Sequence, residues 1–229
     1  MYNISSEIFL LIFLVSNISL IFFCKFSKIL LDNPSHGIHK NKFNKGIPLT
    51  GGAYFFICII LIFLKENNLI ITKSYFIFFF LILILGFLSD SYKNMSPRVR
   101  LIIQITIIIS FVYFLKIKID KTSLSYLDFL IKNNFINLAF TTFCLLVLLN
   151  GSNFCDGINL NVTGYYLIVF ICLIFLDINN SEFNVLSLII FALIIFYISN
   201  LFNFCFLGDN GVYLISLFSG IYVINFINS

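Results

Sequence analysis

Eight apolar runs separated by polar breaks leave this chain few architectures: Ser6–Cys24, Ile47–Leu64, Ser74–Leu88, Leu101–Leu115, Phe135–Leu149, Val162–Leu176, Val185–Ser199 and Val212–Phe226. A bilayer core takes about 20 residues of helix. Backbone groups in hydrocarbon have no water to bond to, so helices must satisfy them internally. Of the 229 residues only 10% are charged and 60% are hydrophobic, whereas a soluble domain carries about 25% charged residues. The chain is therefore expected to be all-α, a polytopic integral membrane protein of about eight transmembrane helices in one domain spanning 1–229. Several runs hold only 15 residues. Their helices must borrow flanking residues, which draws the neighbouring polar side chains down to head-group level.

No basic segment precedes Ser6–Cys24 and no small-residue cleavage site follows it, so this run reads as a retained span and not a signal peptide. The next loop, Lys25–Gly46, carries Lys25, Lys28, Lys40, Lys42 and Lys45. The positive-inside rule puts that loop in the cytoplasm and the N-terminus outside. The net charge of +4 suits anionic membrane lipids as partners. Neither a basic stripe nor a stacking platform supports nucleic acid. Six cysteines form no CxxC pair and read as free thiols.

With eight spans, the loops Lys25–Gly46, Ser89–Arg100, Asn150–Asn161 and Asn200–Gly211 share one face. They contain four acids: Asp32, Asp90, Asp156 and Asp209. In the third loop Asn150, Asn153 and Asp156 recur every third residue, a spacing that makes neighbours on a helix end. The first loop contains His36 and His39 and ends Lys45-Gly-Ile-Pro48-Leu-Thr-Gly51-Gly52. Pro48 and the glycines suggest a tight helix start with bare amides open to an anion. The second puts Asp90 at a helix C-terminus, where the dipole disfavours an acid. A metal or Lys93 is the expected compensating cation. The fourth, Gly208-Asp209-Asn-Gly211, is a sharp turn exposing a carboxylate. Any one of these loops alone could be a solvated turn. Three aspartates from separate helix ends on one face suit a hard cation such as Mg²⁺, which takes one or two carboxylates plus substrate phosphates.

The residues also carry a resemblance. Lys45-Gly-Ile-Pro-Leu-Thr-Gly-Gly, Gly86-x-x-Ser-Asp90-x-x-Lys93, Asn150-x-x-Asn153-x-x-Asp156-Gly-x-Asn159 and Gly208-Asp209-x-Gly resemble, in order, the motifs of the polyprenyl-phosphate N-acetylhexosamine-1-phosphate transferases of glycosyltransferase family 4. The resemblance implies transfer of a sugar 1-phosphate from a UDP-sugar, such as UDP-N-acetylglucosamine, to undecaprenyl phosphate with release of UMP. The product would start a cell-envelope glycan at the cytoplasmic face of the inner membrane. It implies Asp90 and Asp156 as catalytic residues, and Asp209 with Asp90 as ligands of Mg²⁺ (or Mn²⁺). It further implies Lys45, His39, Lys93, Asn150, Asn153 and Gly208 as substrate contacts, and leaves a homodimer open.

Two departures stand out. Where the family has Asp-Asp, this chain has Ser89-Asp90. Family members also continue, beyond the position of Ser229, into a His-rich loop and further spans. The competing readings are a truncated, inactive relative and a transporter using the three aspartates.

Overall fold

The computed structural model describes residues 6–32, 46–65, 73–91, 95–176 and 183–228. Among these, nine helices follow in order: α1 (Ser6–Ser27), α2 (Gly51–Lys65), α3 (Lys73–Ser91), α4 (Pro97–Leu115), α5 (Ser125–Ile131), α6 (Asn134–Cys155), α7 (Asn161–Leu176), α8 (Phe183–Leu201) and α9 (Gly208–Asn228). Seven of the eight apolar runs lie within a helix of their own and the eighth, Ile47–Leu64, forms α2 from Gly51 onward, so the all-α membrane architecture holds. By length and composition, six of the described helices can cross a membrane, while Gly51–Leu64 and Asn161–Leu176 are shorter. The borrowing of flanking residues is visible in α3 and α6. They run on to take in Ser89 and Asp90, and Asn150 and Asn153. The additional helix, α5, lies between α4 and α6 in a stretch too polar to have been read as a span.

Helix ends follow their local chemistry. Ser96 caps α4, its Oγ accepting from Val99 N at 3.3 Å, and Pro97 opens the first turn. Asn133 Oδ1 caps α6 by accepting from Phe135 N at 2.9 Å. At the far end of α4, Lys116 turns left-handed (φ 52°) and returns its N–H to Tyr113 and Val112.

The axis of the bundle is α9, whose residues Val212–Tyr222 are all buried. It packs against α2, α3 and α6, with α4 covering α3 and α6, and α8 bridging α1, α2 and α7. Lipid tails provide no hydrophobic drive between helices, so packing and polar contacts must join them. Asn17 Nδ2 donates to Ser199 Oγ at 2.8 Å, linking α1 to α8. Tyr54 donates to the Ala192 carbonyl at 3.0 Å, linking α2 to α8. Ser152 and Tyr166 share a 2.6 Å bond between α6 and α7. Outward-facing side chains such as Phe26 (92% exposed) and Phe175 (81%) suit contact with lipid. All six cysteines are free.

A small non-helical element serves the site. Strand β1 (Leu31–Asp32) pairs antiparallel with β2 (Ile47–Pro48), clamping the base of the first loop. Residue Leu49 then bridges to Phe206, with Phe206 N donating to Pro48 O at 2.9 Å and Thr50 N to Phe206 O at 3.2 Å. The start of α2 is thereby stitched to the start of α9.

Candidate active site

Four segments converge where α9 begins: the end of α3, the start of α4, the end of α6 and the start of α2. Gly208 opens α9 at φ +70°, a left-handed backbone that glycine adopts without strain. A Cβ there would lie 3.0 Å from Asp90 Oδ2 and 3.1 Å from Leu49 Cβ. The residue is needed for shape, since it allows the Asp90 carboxylate to reach the helix end.

That carboxylate is the centre of the arrangement. Asp90 Oδ1 accepts from Asp209 N at 2.9 Å, and Oδ2 accepts from Asn210 N at 3.1 Å and from the Asn210 side-chain amide. The first amides of a helix have no partner within it and carry the positive end of its dipole. Asp90 therefore caps α9 from another helix. Where a metal or Lys93 was expected to balance Asp90, backbone amides of α9 are found at its oxygens; Lys93 lies outside the described residues. The other end of the Asn210 side chain accepts from Gly52 N at 2.5 Å, and Leu49 N donates to Leu30 O at 2.8 Å. The amides of Leu49, Thr50 and Gly52 are thus engaged with protein, against the expectation that the amides after Pro48 stand bare for an anion. Pro48 itself lies in β2, before the helix.

Asp209 is one residue into α9 and about a quarter exposed. Its Oδ2 accepts from Ser89 Oγ at 2.5 Å, from Arg100 Nη1 at 2.9 Å and from Tyr213 at 3.4 Å. The same Arg100 nitrogen donates to Ser89 Oγ at 3.1 Å, and Arg100–Asp209 is the one ion pair among the described residues. Ser89, the departure from the Asp-Asp pattern, is a hydroxyl bridge between Arg100 and Asp209. Asp209 Oδ1 takes no hydrogen bond among the described residues.

Asp156 caps the end of α6, and no described group hydrogen-bonds its carboxyl. Burial, reinforced by the charges of Asp209 and Asp90, pushes its pKa up to about 8. Asn153, one turn back, donates to the Tyr213 hydroxyl at 3.4 Å and so joins the Asp209 network. Asn150 turns away, donating to the Leu146 carbonyl of its own helix at 3.0 Å. Asn159 donates to Asn203 at 3.1 Å, tying the third loop to the fourth. His39, Lys45 and Lys93 lie outside the described residues.

The structure thus brings Asp90, Asp156, Asp209, Asn153 and Gly208 together and leaves Asn150 aside. Arg100, Asn210 and Tyr213 belong to the site and were not singled out from sequence. Tyr213 was within reach, since it stands four residues after Asp209 on one helix face.

The carboxylates are hard oxygen donors, and among the described residues Arg100 is the one cation paired with them, a setting a divalent cation would fit. Among the described residues no three His, Cys, Asp or Glu side chains form a group able to hold an ion. Mg²⁺ completes its shell with water and substrate phosphates, so Asp209 with Asp90 could supply only part of such a shell.

A family model, glycosyl transferase family 4, matches residues 72–227, which carry α3 to α9 and all three aspartates. The chain belongs to glycosyl transferase family 4. Glycosyl transferase family 4 membership makes it, in general terms, a membrane-embedded polyprenyl-phosphate sugar-1-phosphate transferase. No curated protein matches the chain.

Proposed function

We propose that this glycosyl transferase family 4 protein transfers an N-acetylhexosamine 1-phosphate from a UDP-sugar to undecaprenyl phosphate, with Mg²⁺, at the cytoplasmic face of the inner membrane. The observation that carries this reading is the meeting of Asp90, Asp156 and Asp209 around the first turn of α9, with Arg100 the one cation paired with them among the described residues. An acidic patch of this kind repels phosphates unless a cation accompanies them. Two unit charges about 4 Å apart repel by about 4 kcal/mol at an effective dielectric near 20.

Asp209, with Asp90 beside it, would hold the ion. When bound, Mg²⁺ supplies charge neutralisation for a pyrophosphate approached by a second phosphate. The protein's own part is positioning. Asp90 fixes the end of α9 and, through it, the place of Asp209. Arg100 and Ser89 hold Asp209 Oδ2, so Oδ1 would be the oxygen available to the ion. The lipid phosphate oxygen forms a bond to the sugar-bearing phosphorus. The bond from that phosphorus to the bridging oxygen breaks, and UMP leaves with the electron pair. A phosphate monoester, with a second pKa near 6, is mostly dianionic at neutral pH, so the acceptor needs no protein base and Ser89 in place of Asp is compatible with turnover. Phosphoryl transfer rests mainly on such positioning and screening. The carboxyl of Asp156, without a donor of its own, stands where the phosphates and their counter-ion would arrive.

The transporter reading needs acids near the middle of the membrane. These three sit at helix ends, which favours the transferase. The test is UMP release by membranes containing the protein, given polyprenyl phosphate and a panel of UDP-sugars, with and without chelator. Release with one UDP-N-acetylhexosamine, abolished by chelation, is the expected result. No release with any of them would leave the inactive-relative reading standing.

A further inference from the structure

We propose that a phospholipid bearing an anionic phosphate binds a cleft at the opposite end of the bundle from the aspartates, between the end of α4 and the start of α6. Helix α4 runs away from the candidate active site and α6 runs back toward it. Arg100 and Cys155 are near it, while Leu115 and Asn134 are at their far ends, some 20–30 Å away at ~1.5 Å per residue. There Val112, Tyr113, Phe114 and Ile117 face Phe135 and Leu138 across a cavity of about 620 Å³ edged by Lys116, Lys118 and Asn134. Ligand clefts span about 300–1,000 Å³, so the space holds a lipid segment and far more than trapped water.

The walls are built as an amphipathic site. Ile117 is buried (6% exposed) and its N–H is held by Val112 O at 3.1 Å. That anchor fixes the two lysines on either side of it. Lys118 Nζ donates to Asn134 Oδ1 at 2.8 Å, which places its charge at the first turn of α6. The first amides of that helix are capped by Asn133 Oδ1, so the pole of its dipole adds only weakly to the attraction of the lysines. None of the residues lining the cleft is acidic. Of the two acids in the loop from Lys116 to Asn134, Asp128 is engaged by Thr122 N at 2.6 Å and Thr122 Oγ1 at 2.7 Å. Asp120 lies beyond the cleft lining, its N–H donating to Asn228 at 3.0 Å. The loop as a whole holds four lysines to two aspartates. Tyr113, Phe114 and Phe135 are 65%, 69% and 79% exposed around the apolar part, the place of an acyl chain. Two ammonium groups over an apolar, aromatic-edged slot match a phosphate head group joined to a hydrocarbon tail. A free phosphate would leave the apolar walls wet, and a zwitterionic lipid would bring its own cation to the lysines.

The experiment uses the full chain, delipidated in detergent, with phosphatidylglycerol, phosphatidylcholine or inorganic phosphate added at equal concentration. Bound lipid is counted by native mass spectrometry and the thermal midpoint is followed in parallel. Retention of one phosphatidylglycerol per chain is expected, favoured over phosphatidylcholine by roughly 30-fold for two lysines at the surface. Lys116→Gln or Lys118→Gln alone should lose roughly fivefold, the double substitution should lose the preference, and Lys116→Arg with Lys118→Arg should keep it. Lys121→Gln with Lys132→Gln, off the cleft, should change nothing. Equal retention of the two lipids, a preference that survives the double glutamine variant, or the same stabilisation by inorganic phosphate alone would each overturn the proposal. None of these readouts depends on transferase activity.

Discussion

Gly86 of α3 and Asn210 of α9 stand backbone to backbone: a Cβ added to Gly86 would lie 2.7 Å from Asn210 N and 3.1 Å from Asn210 Cβ. Only a residue without a side chain permits this approach, and the approach is what lets Asp90, one turn further along α3, reach the end of α9. Gly86→Ala is expected to destabilise the protein by about 1–3 kcal/mol, as overpacking does. It should also weaken transfer, since the displaced helix carries Asp209. Thermal unfolding in detergent together with UMP release checks both. A variant of unchanged stability would show that the two helices can part without cost.

Asn210 is fully buried and its side-chain amide joins three segments. Asn210→Leu is expected to orphan Gly52 N and one Asp90 contact, at about 1–3 kcal/mol for each buried group left unpaired. Chemical denaturation measures this. The loss should exceed that of Asn150→Leu, whose amide bonds only to its own helix.

Asp209→Asn is expected to lower UMP release by about 100- to 1,000-fold, the scale seen on removing one charge-stabilising group from an active site. Raising Mg²⁺ should not restore it. Retention of activity at unchanged Mg²⁺ would falsify the metal role of this carboxylate.

Ser89→Asp would put a second carboxylate where the hydroxyl now lies 2.5 Å from Asp209 Oδ2. The thermal midpoint in chelator should fall below that of the parent and recover on addition of Mg²⁺, which screens the new pair. A midpoint indifferent to Mg²⁺ would argue that no ion resides beside Asp209.

For Asp156 the sign follows from its raised pKa. A carboxyl moved from 3.8 to about 8 on folding binds its proton more tightly in the folded state. Its contribution to stability is therefore complete at acid pH and is lost as pH rises across that interval. In chelator, Asp156→Asn should flatten the decline in thermal midpoint between mildly acidic and mildly alkaline pH. An unaltered slope would mean that this carboxyl is already ionised in the folded protein.

The spans were legible because lipid forces a simple rule on the sequence, and each apolar run holds one helix, though Ile47–Leu64 enters α2 only at Gly51. So was the convergence of Asp90, Asp156 and Asp209, since parity alone puts their loops on one face. What stayed hidden were partners set by tertiary contact. Asn210 occupies the unconstrained position of Gly-Asp-x-Gly, and its meaning comes from Gly52, 158 residues away. Arg100 stood in a loop of mixed charge, and only the fold turns it onto Asp209. The amides of Leu49, Thr50 and Gly52 looked bare because Leu30, Phe206 and Asn210, which take them up, are brought there only by the fold. Helix α5 was missed because seven residues with an aspartate among them make no span.

The buried course of α9 has a consequence for biogenesis. The other eight helices leave the ribosome before it does, yet α2, α3 and α6 each keep a face for it. Until α9 inserts, those faces must be sheltered by lipid or by the insertion machinery. The carboxylate of Asp90 meanwhile waits at the membrane surface for amides that have not yet been synthesised.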